Sequence, residues 1–297
     1  MSVKTASKFF LVGRESELER LEACIQARRN VLLEGPVGVG KTHLALAVTQ
    51  RLKRPVFRID GDGRYSEQKL SGWFDPPTVI KKGFTANAFV PGPLVEAMKA
   101  GGILFINELN RLPEGVQNVL LPAIDEKMIS VPRLGEVKAK EGFQVIATQN
   151  PKEFVATSHL SEAMLDRFEL VVIDYQSEEE EIAIVSNRQK LDPRLPKAAV
   201  RIVRLTRDHP RVRRGASVRA AQSIADLGAV LMAQGKDFQT AFLTAVLMAL
   251  PTRIEIEREA DSQNSHQQEI ESLLREWADQ VINQLGSAEP ARQKKKN

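Results

Sequence analysis

The stretch Gly35-Pro36-Val37-Gly38-Val39-Gly40-Lys41-Thr42 decides the fold of this chain. It matches in full the pattern G-x-x-x-x-G-K-[ST], whose backbone N–H groups cradle phosphates. Its surroundings fit as well, because residues 31–34 are an apolar run of strand length and residues 43–48 favour a helix. A strand, a glycine-rich loop and a helix N-terminus together converge on phosphate oxygens. The sequence therefore predicts a phosphate-binding loop rather than a chance glycine-rich turn.

Each residue type in this loop suits that chemistry. The glycines allow the loop to curl without Cβ clashes. The ammonium of Lys41 can reach the β- and γ-phosphates, and the hydroxyl of Thr42 can ligate Mg²⁺. We therefore expect ATP and Mg²⁺ as cofactors. The predicted cofactor-binding residues in this segment are Gly35, Pro36, Val37, Gly38, Val39, Gly40, Lys41, Thr42 and His43.

The composition is that of an ordinary globular protein. The chain has 297 residues, 42% hydrophobic and 27% charged, which is enough for two domains. The longest nearly apolar run, residues 241–250, is too short to span a bilayer. The N-terminus lacks a secretory apolar segment, and the single cysteine, Cys24, cannot form an intrachain disulfide. These features predict a cytoplasmic protein without a membrane span.

Charge and histidine spacing argue against several other functions. The net charge is +4, with basic clusters at residues 207–214 and 294–296. Neither cluster carries the interleaved aromatic residues that stack on bases, so a nucleic-acid partner is not expected. The four histidines are scattered without metal-ligand spacing, and no G-x-S-x-G motif occurs.

The first half of the chain alternates short apolar strands with amphipathic helices. Strands are predicted at residues 31–34, 56–59, 103–106, 145–148 and 170–173. This alternation predicts an α/β fold with a parallel sheet covered on both faces. The long segment after the second strand is a turn-rich insertion with hairpin character. Within it, Trp73 and Phe74 are expected to pack rather than to be displayed.

From Glu178 onwards helical patterns replace the strand patterns. Helices are predicted at residues 198–206, 217–233 and 238–250, which form a small all-α domain. A last helix, residues 267–285, carries an apolar stripe at helical spacing. That stripe must dock either on this chain or on a neighbour.

The third predicted strand is followed by Asn107-Glu108, at the place where a nucleoside triphosphatase coordinates Mg²⁺ and activates water. Glu108 can polarise a water for attack on the γ-phosphate. Asn107 occupies the position where an aspartate is expected. An amide keeps one acceptor oxygen but lacks the negative charge that holds a metal-bound water. We therefore expect Thr42 and Asn107, the latter through water, to hold Mg²⁺, with slower hydrolysis.

Further motifs complete the set. They are A-T-Q-N-P at residues 147–151, L-D-R-F at 165–168 and G-A-S-V-R-A at 215–220. With the phosphate loop and N-E-L-N-R, the chain resembles the MoxR branch of the AAA+ ATPases, from Val12-Gly13-Arg14-Glu15 to about Leu250.

This resemblance implies a fold and a domain organisation. It implies a P-loop AAA+ αβα sandwich with a five-stranded parallel sheet, followed by a small all-α lid. The nucleotide-binding domain would span residues 1–175, with an insert at about 61–95 and a hairpin at about 125–141. The lid would span 176–255, and a C-terminal helix with a basic tail 256–297.

The resemblance also implies roles for single residues. Asn150 resembles the sensor 1 residue, Arg167 the arginine finger offered to a neighbouring subunit, and Arg219 the sensor 2 residue. Val12 and Gly13 resemble the segment that lines the adenine pocket. The chain departs from the pattern at Asn107 and at Val218, which stands where the family has proline.

Each of these residues also has a purely structural interpretation. Arg167 could pair at the surface with Asp166 or Glu162, and Arg219 could be an exposed helix charge. Asn150 before Pro151 could be a turn residue. The ordered set of motifs favours the functional roles.

The leading hypothesis is an ATP-hydrolysing, ring-forming chaperone or remodelling ATPase, hexameric, acting with a von Willebrand A domain protein on protein clients. The second is an ATP-gated assembly scaffold with weak hydrolysis, suggested by Asn107. The third, a nucleic-acid-dependent motor, is favoured only by the basic segment at 207–214.

Overall fold

The structure is a computed structural model that describes residues 11–150, 160–187, 192–258 and 264–287. It divides into two compact units, Met1–Tyr175 and Gln176–Asn297. Pro151, His159 and the basic tail at residues 294–296 lie outside the described residues.

The first unit contains nine strands and seven α-helices among its described residues. Two short 3₁₀ helices, Ala86–Ala88 and Leu109–Arg111, lie between them. In chain order the elements are α1 (Glu15–Gln26), β1 (Val31–Glu34), α2 (Lys41–Arg51), β2 (Val56–Asp60), α3 (Glu67–Ser71), β3 (Gly72–Phe74), α4 (Pro76–Lys82), β4 (Phe89–Pro91), α5 (Pro93–Ala100), β5 (Ile103–Asn107), α6 (Glu114–Asp125), β6 (Met128–Val131), β7 (Gly135–Lys138), β8 (Gln144–Gln149), α7 (Glu162–Leu165) and β9 (Glu169–Val172).

Five of these strands form one parallel sheet in the order β2-β5-β8-β1-β9. The prediction of a five-stranded parallel sheet is therefore confirmed. Side chains of the interior strand β5 alternate between two cores. Ile103 and Phe105 pack with Leu44 of α2, whereas Leu104 and Ile106 pack with residues of α5 and α6. Both faces of the sheet are thus covered, which explains the continuous apolar runs in the sequence.

The parallel arrangement brings the carboxyl ends of the strands to one edge of the sheet. In the strand register Glu34 lies opposite Gln149, and Asp60 lies opposite Asn107. Polar side chains that are far apart in sequence therefore become neighbours at this edge. Ligands of open α/β sheets bind at such an edge.

The insertion after β2 is built around the antiparallel pair β3–β4, in which Trp73 lies opposite Val90. Phe74 packs edge-to-face against Phe84 and Phe89, at centroid distances of 5.2 and 5.3 Å. Trp73 is 46% exposed, so the expectation that it packs was wrong. Successive side chains of a strand point to opposite faces, and the packing of the partly buried Phe74 against the core turns Trp73 outward.

The second unit is helical with one short antiparallel pair, β10–β11. Its strands have three and two residues, too few for alternation to be visible in the sequence. In chain order the elements are α8 (Glu178–Ser186), α9 (Arg194–Asp208), β10 (Val212–Arg214), α10 (Val218–Ala233), α11 (Phe238–Ala249), β11 (Glu255–Ile256) and α12 (His266–Ser287).

The apolar stripe of α12 docks on this chain. Leu274, Ala278 and Val281 are fully buried in the same core as residues of α9, α10 and α11. Trp277 is 4% exposed, and its ring lies 5.1 Å from the ring of His209 in an edge-to-face contact. The helix therefore belongs to the core of the second unit. In the part of the chain that the structure describes, no helix is long and apolar enough to cross a membrane.

Arginines of the basic segment at 207–214 form ion pairs within the second unit. Arg207 lies 2.7 Å from Glu181, Arg211 lies 2.8 Å from Glu269, and Arg213 lies 2.9 Å from Glu257. Glu181 and Glu269 are almost fully buried, so two of these pairs carry charge into the interior. The segment thus has a structural role that accounts for its basic composition.

The docking of α12 can be tested with the two tryptophans of the chain. Trp277→Ala removes a buried ring and should lower the free energy of unfolding by about 3–5 kcal/mol. The control Trp73→Ala removes a half-exposed ring and should cost less than about 1 kcal/mol. Chemical denaturation followed by circular dichroism measures both. Equal effects of the two changes would show that α12 is not docked on this core.

Candidate active site

The phosphate loop connects β1 to α2 at the carboxyl edge of the sheet. Gly38 and Gly40 have φ values of +81° and +95°, which L side chains rarely adopt. At Gly35 a Cβ atom would lie 2.0 Å from the carbonyl oxygen of Ile173, so only glycine fits beside the end of β9. Gly40 caps α2 without a side-chain hydrogen bond. The first N–H groups of α2 can therefore donate hydrogen bonds to a bound anion.

The ammonium of Lys41 lies against the loop itself. Nζ donates hydrogen bonds to the carbonyl oxygens of Gly35, at 2.6 Å, and Pro36, at 2.8 Å. The positive charge is thereby held at the start of the loop, where phosphate oxygens would supply stronger, charge-assisted partners. Val37 of the loop and His43 in the first turn of α2 are exposed.

Thr42 connects the phosphate loop to the ends of β5 and β8. Its Oγ1 donates to Oδ1 of Asn107 at 3.0 Å, and Oγ1 of Thr148 donates to the same atom at 3.2 Å. Hydroxyl and amide oxygens are hard ligands of the kind that Mg²⁺ prefers, and Mg²⁺ sites combine few protein ligands with substrate phosphates. The residues present therefore fit a Mg²⁺ ion bound with ATP. Within the described ranges no group of three or more His, Cys, Asp or Glu side chains could hold a metal ion by itself.

Asp60 is a member of the site that the sequence analysis missed. Nδ2 of Asn107 donates to Oδ1 of Asp60 at 2.9 Å. The same carboxylate oxygen accepts from Nη2 of Arg58 at 2.6 Å. Asp60 is the last residue of β2, whereas the predicted strand ended one residue earlier. Its position opposite Asn107 follows from the strand order of the sheet, which no local pattern in the sequence indicates.

Glu108 has an unusual backbone conformation, with φ = 62° and ψ = 58°. Such left-handed geometry costs a non-glycine residue about 1–3 kcal/mol and is concentrated at functional sites. Its N–H donates to Oγ1 of Thr148 at 2.9 Å, and its carboxylate lies 3.3 Å from Nε of Arg111. At Gly61 a Cβ would lie 2.0 Å from the carbonyl oxygen of Glu108. Thr148 and Gly61 thus fix where this candidate base sits.

Arg14 is a second residue whose role the sequence analysis missed. Its guanidinium is buried and donates to the carbonyl oxygens of Val39, at 3.1 Å, and Asp174, at 2.6 Å, and it pairs with Glu17. It therefore ties the beginning of α1 to the phosphate loop. The candidate adenine-pocket residues Val12 and Gly13 directly precede it, and Gly13 has a φ of +61°.

The sensor and finger candidates lie in different places. Asn150 is buried directly after β8, at the same edge of the sheet as Asn107. The structure shows an ion pair of Arg167 with Asp125, whereas the structural interpretation suggested Asp166 or Glu162. Arg167 donates from Nε to Asp125 at 2.6 Å and from Nη1 to the carbonyl oxygen of Ala163. The hydrogen bond with Asp125 raises the pKa of Arg167.

Arg219 lies in the second unit. It is exposed in the first turn of α10, which begins at Val218. Valine at the position where the family has proline therefore still begins the helix.

Comparisons with known proteins agree with this geometry. A family model described as an AAA domain of the dynein-related subfamily matches residues 30–168. An uncharacterized protein of Staphylococcus epidermidis is 30% identical over 224 residues, which is 73% of this chain and 84% of that protein. A Staphylococcus aureus protein is 35% identical over 156 residues, or 52% and 59% of the two chains.

Solved structures show the same fold at low sequence identity. A RuvB mutant of Thermotoga maritima covers 82% of this chain and 73% of its own, with a TM-score of 0.55 and 17% identity. NtrX of Brucella abortus, solved with ADP, covers 93% and 62%, with a TM-score of 0.56 and 19% identity. The chain has the α/β AAA fold followed by a helical C-terminal region. Residues 30–168 match the family model, so this part of the chain is an AAA domain of the dynein-related subfamily.

The positioning of Glu108 can be tested at two glycines of one loop. Gly61→Ala should displace the backbone of Glu108 and lower ATP turnover by about 100-fold, with ATP binding retained. Gly63→Ala is the matched control, because a Cβ there meets nothing within 4 Å. Steady-state phosphate release and calorimetric ATP binding measure the two effects. Equal turnover in both variants would exclude this role for the Gly61 contact.

Proposed function

We propose that this chain is an ATPase of the MoxR type, in the branch with an insert after β2, that hydrolyses ATP with Mg²⁺ to remodel protein clients. One observation carries the proposal. The hydroxyls of Thr42 and Thr148 meet the amide oxygen of Asn107 directly beside the phosphate loop. This arrangement joins the phosphate-binding and water-activating segments into one site.

The residues divide the chemistry among them. Lys41 and the N–H groups of α2 bind phosphate oxygens, and Thr42 with Asn107 holds Mg²⁺, which neutralises charge on the phosphates when bound. Glu108 accepts a proton from the attacking water, and Asn150 orients that water. Glu108 follows β5 directly, and its N–H donates to the hydroxyl of Thr148. This hydrogen bond fixes the candidate base relative to the proposed Mg²⁺ site.

Arg167 is the residue that connects hydrolysis to assembly of several subunits. In the single chain its guanidinium is paired with Asp125 on the surface of the first unit. To act on the nucleotide of a neighbouring subunit, Arg167 must exchange this partner for a phosphate. We propose that a ring, hexameric as in the family, supplies that exchange. By the family resemblance, Arg219 is the proposed sensor 2 residue.

The surface of the insertion favours a protein client. Trp73, Ile80 and Phe84 are 46%, 86% and 47% exposed, a concentration of apolar side chains on one short segment. Exposed apolar patches mark protein contacts. The guanidinium of Arg133 in the β6–β7 hairpin stacks 3.8 Å from the ring centroid of Phe84, so hairpin and insertion are held together. By the family resemblance, a von Willebrand A domain protein is the expected partner.

A second candidate function is an ATP-gated assembly scaffold that hydrolyses slowly. The amide of Asn107 favours the scaffold function, because the proposed Mg²⁺ site lacks the carboxylate that most nucleoside triphosphatases of this kind use. Turnover by the assembled wild-type protein distinguishes the two. A nucleic-acid-dependent motor has less support, since glutamates of the second unit pair with the basic segment.

Binding of ATP at the loop is tested by Lys41→Ala. Loss of the ammonium removes charge-assisted contacts and should weaken ATP binding by about 2–3 kcal/mol. Lys81→Ala, on the exposed end of α4, is the control and should bind ATP as the wild type does. Isothermal titration calorimetry gives both affinities. Unchanged affinity of Lys41→Ala would refute the assignment of the loop.

The role of Arg167 is tested by breaking its ion pair from either side. Arg167→Ala should bind ATP but lose hydrolysis by about 1000-fold. Asp125→Asn frees the guanidinium and should keep or raise hydrolysis. Mixing Arg167→Ala with Lys41→Ala should restore part of the activity, because the latter supplies the finger to the former.

Arg64→Ala is the control, since Arg64 also forms an exposed ion pair, with Asp62. If Asp125→Asn and Arg167→Ala lose hydrolysis equally, Arg167 serves only as an ion-pair residue. The same conclusion follows if mixed oligomers form without any restored activity.

A further inference from the structure

The side-chain amide of Asn107 is held from both ends. Its Oδ1 accepts hydrogen bonds from Thr42 and Thr148, at 3.0 and 3.2 Å. Its Nδ2 donates to Oδ1 of Asp60 at 2.9 Å. The oxygen thus faces the phosphate loop, and the nitrogen faces the end of β2.

An amide at this position creates a problem that a carboxylate does not have. A carboxylate presents an oxygen to Thr42 whichever way it is turned, whereas an amide does so in one of two orientations. The hydroxyls of Thr42 and Thr148 can donate or accept, so they do not select between the two. An ionised carboxylate only accepts hydrogen bonds. Asp60 can therefore bind only Nδ2, and it selects the orientation with the oxygen toward Thr42.

Asp60 is itself held in place. It lies opposite Asn107 on the adjacent parallel strand, which explains the short reach between the side chains. The guanidinium of Arg58 donates to both of its oxygens, at 2.6 Å from Nη2 and 3.1 Å from Nε. A second aspartate two residues on, Asp62, binds Arg64 in a similar way. Asp62 therefore offers a matched comparison.

We propose that Asp60 is a positioning residue for the Mg²⁺ site, because it locks the amide of Asn107 with its oxygen toward Thr42. The proposal rests on the proposed function, in which Mg²⁺ binds with ATP beside Thr42. In the opposite orientation the amide would direct its N–H groups toward the proposed Mg²⁺ site. Because Mg²⁺ takes oxygen ligands, that orientation would not support metal binding.

The first test compares ATP affinity with Mg²⁺ and with a chelator, in calorimetry. Asparagine at position 60 can donate as well as accept, so Asp60→Asn loses the selection. It should reduce the Mg²⁺-dependent gain in affinity by about tenfold, the size of one hydrogen bond. Asp62→Asn should leave that gain unchanged. Equal gains in Asp60→Asn and Asp62→Asn would overturn the proposal.

The second test separates positioning from simple charge. In an Asn107→Asp background the side chain has no wrong orientation, and Asp60 faces a like charge. Asp60→Asn should then cost nothing or improve the Mg²⁺-dependent gain. An equal loss in both backgrounds would mean that Asp60 acts through its charge alone, and the proposal would be wrong.

A third measurement remains valid if the wild type fails to bind Mg²⁺ and ATP, which would refute the proposed function alone. The NMR signal of the Asn107 side-chain amide is identified by its absence in Asn107→Asp. Without nucleotide, that signal should shift in Asp60→Asn and stay in place in Asp62→Asn. If that signal does not shift in Asp60→Asn, Asp60 does not orient the amide of Asn107, and the proposal is wrong.

Discussion

The amide of Asn107 joins three segments that are far apart in the chain. Through its two ends it contacts Thr42 at the start of α2, Thr148 in β8 and Asp60 at the end of β2. The contacts are possible because parallel strands bring their carboxyl ends to one edge. The phosphate loop, the candidate base and the proposed Mg²⁺ site therefore lie around this one side chain.

The position of Glu108 is also fixed by contacts with residues of other segments. Its strained backbone is held by the hydroxyl of Thr148 and by the close approach of Gly61. Thr148 thus serves two neighbours, the amide of Asn107 and the backbone of Glu108. The cost of the strained backbone is offset by the stable sheet around it, whose central strands are fully buried. Precise placement of a base requires such a rigid support.

The sequence predicted the sheet and the phosphate loop because both depend on local patterns of apolar residues and glycines. It missed Asp60, since nothing local indicates that the end of β2 lies opposite Asn107. Arg14 was missed because its partners are the backbone carbonyls of Val39 and Asp174. Residues of every type have such a carbonyl, so the sequence does not identify these partners. Trp73 was misplaced because the face that a hairpin buries is set by its packing, here through Phe74.

The central claim is that Asn107 presents its oxygen to a Mg²⁺ ion bound with ATP beside Thr42. The most direct measurement is a crystal structure of the complex with Mg²⁺ and a non-hydrolysable ATP analogue. We expect the phosphates on the loop, the metal at the hydroxyl of Thr42, and the Asn107 oxygen turned toward the metal's water shell with Asp60 still on the nitrogen. A nucleotide bound elsewhere, or a metal site that excludes Thr42 and Asn107, would contradict the account.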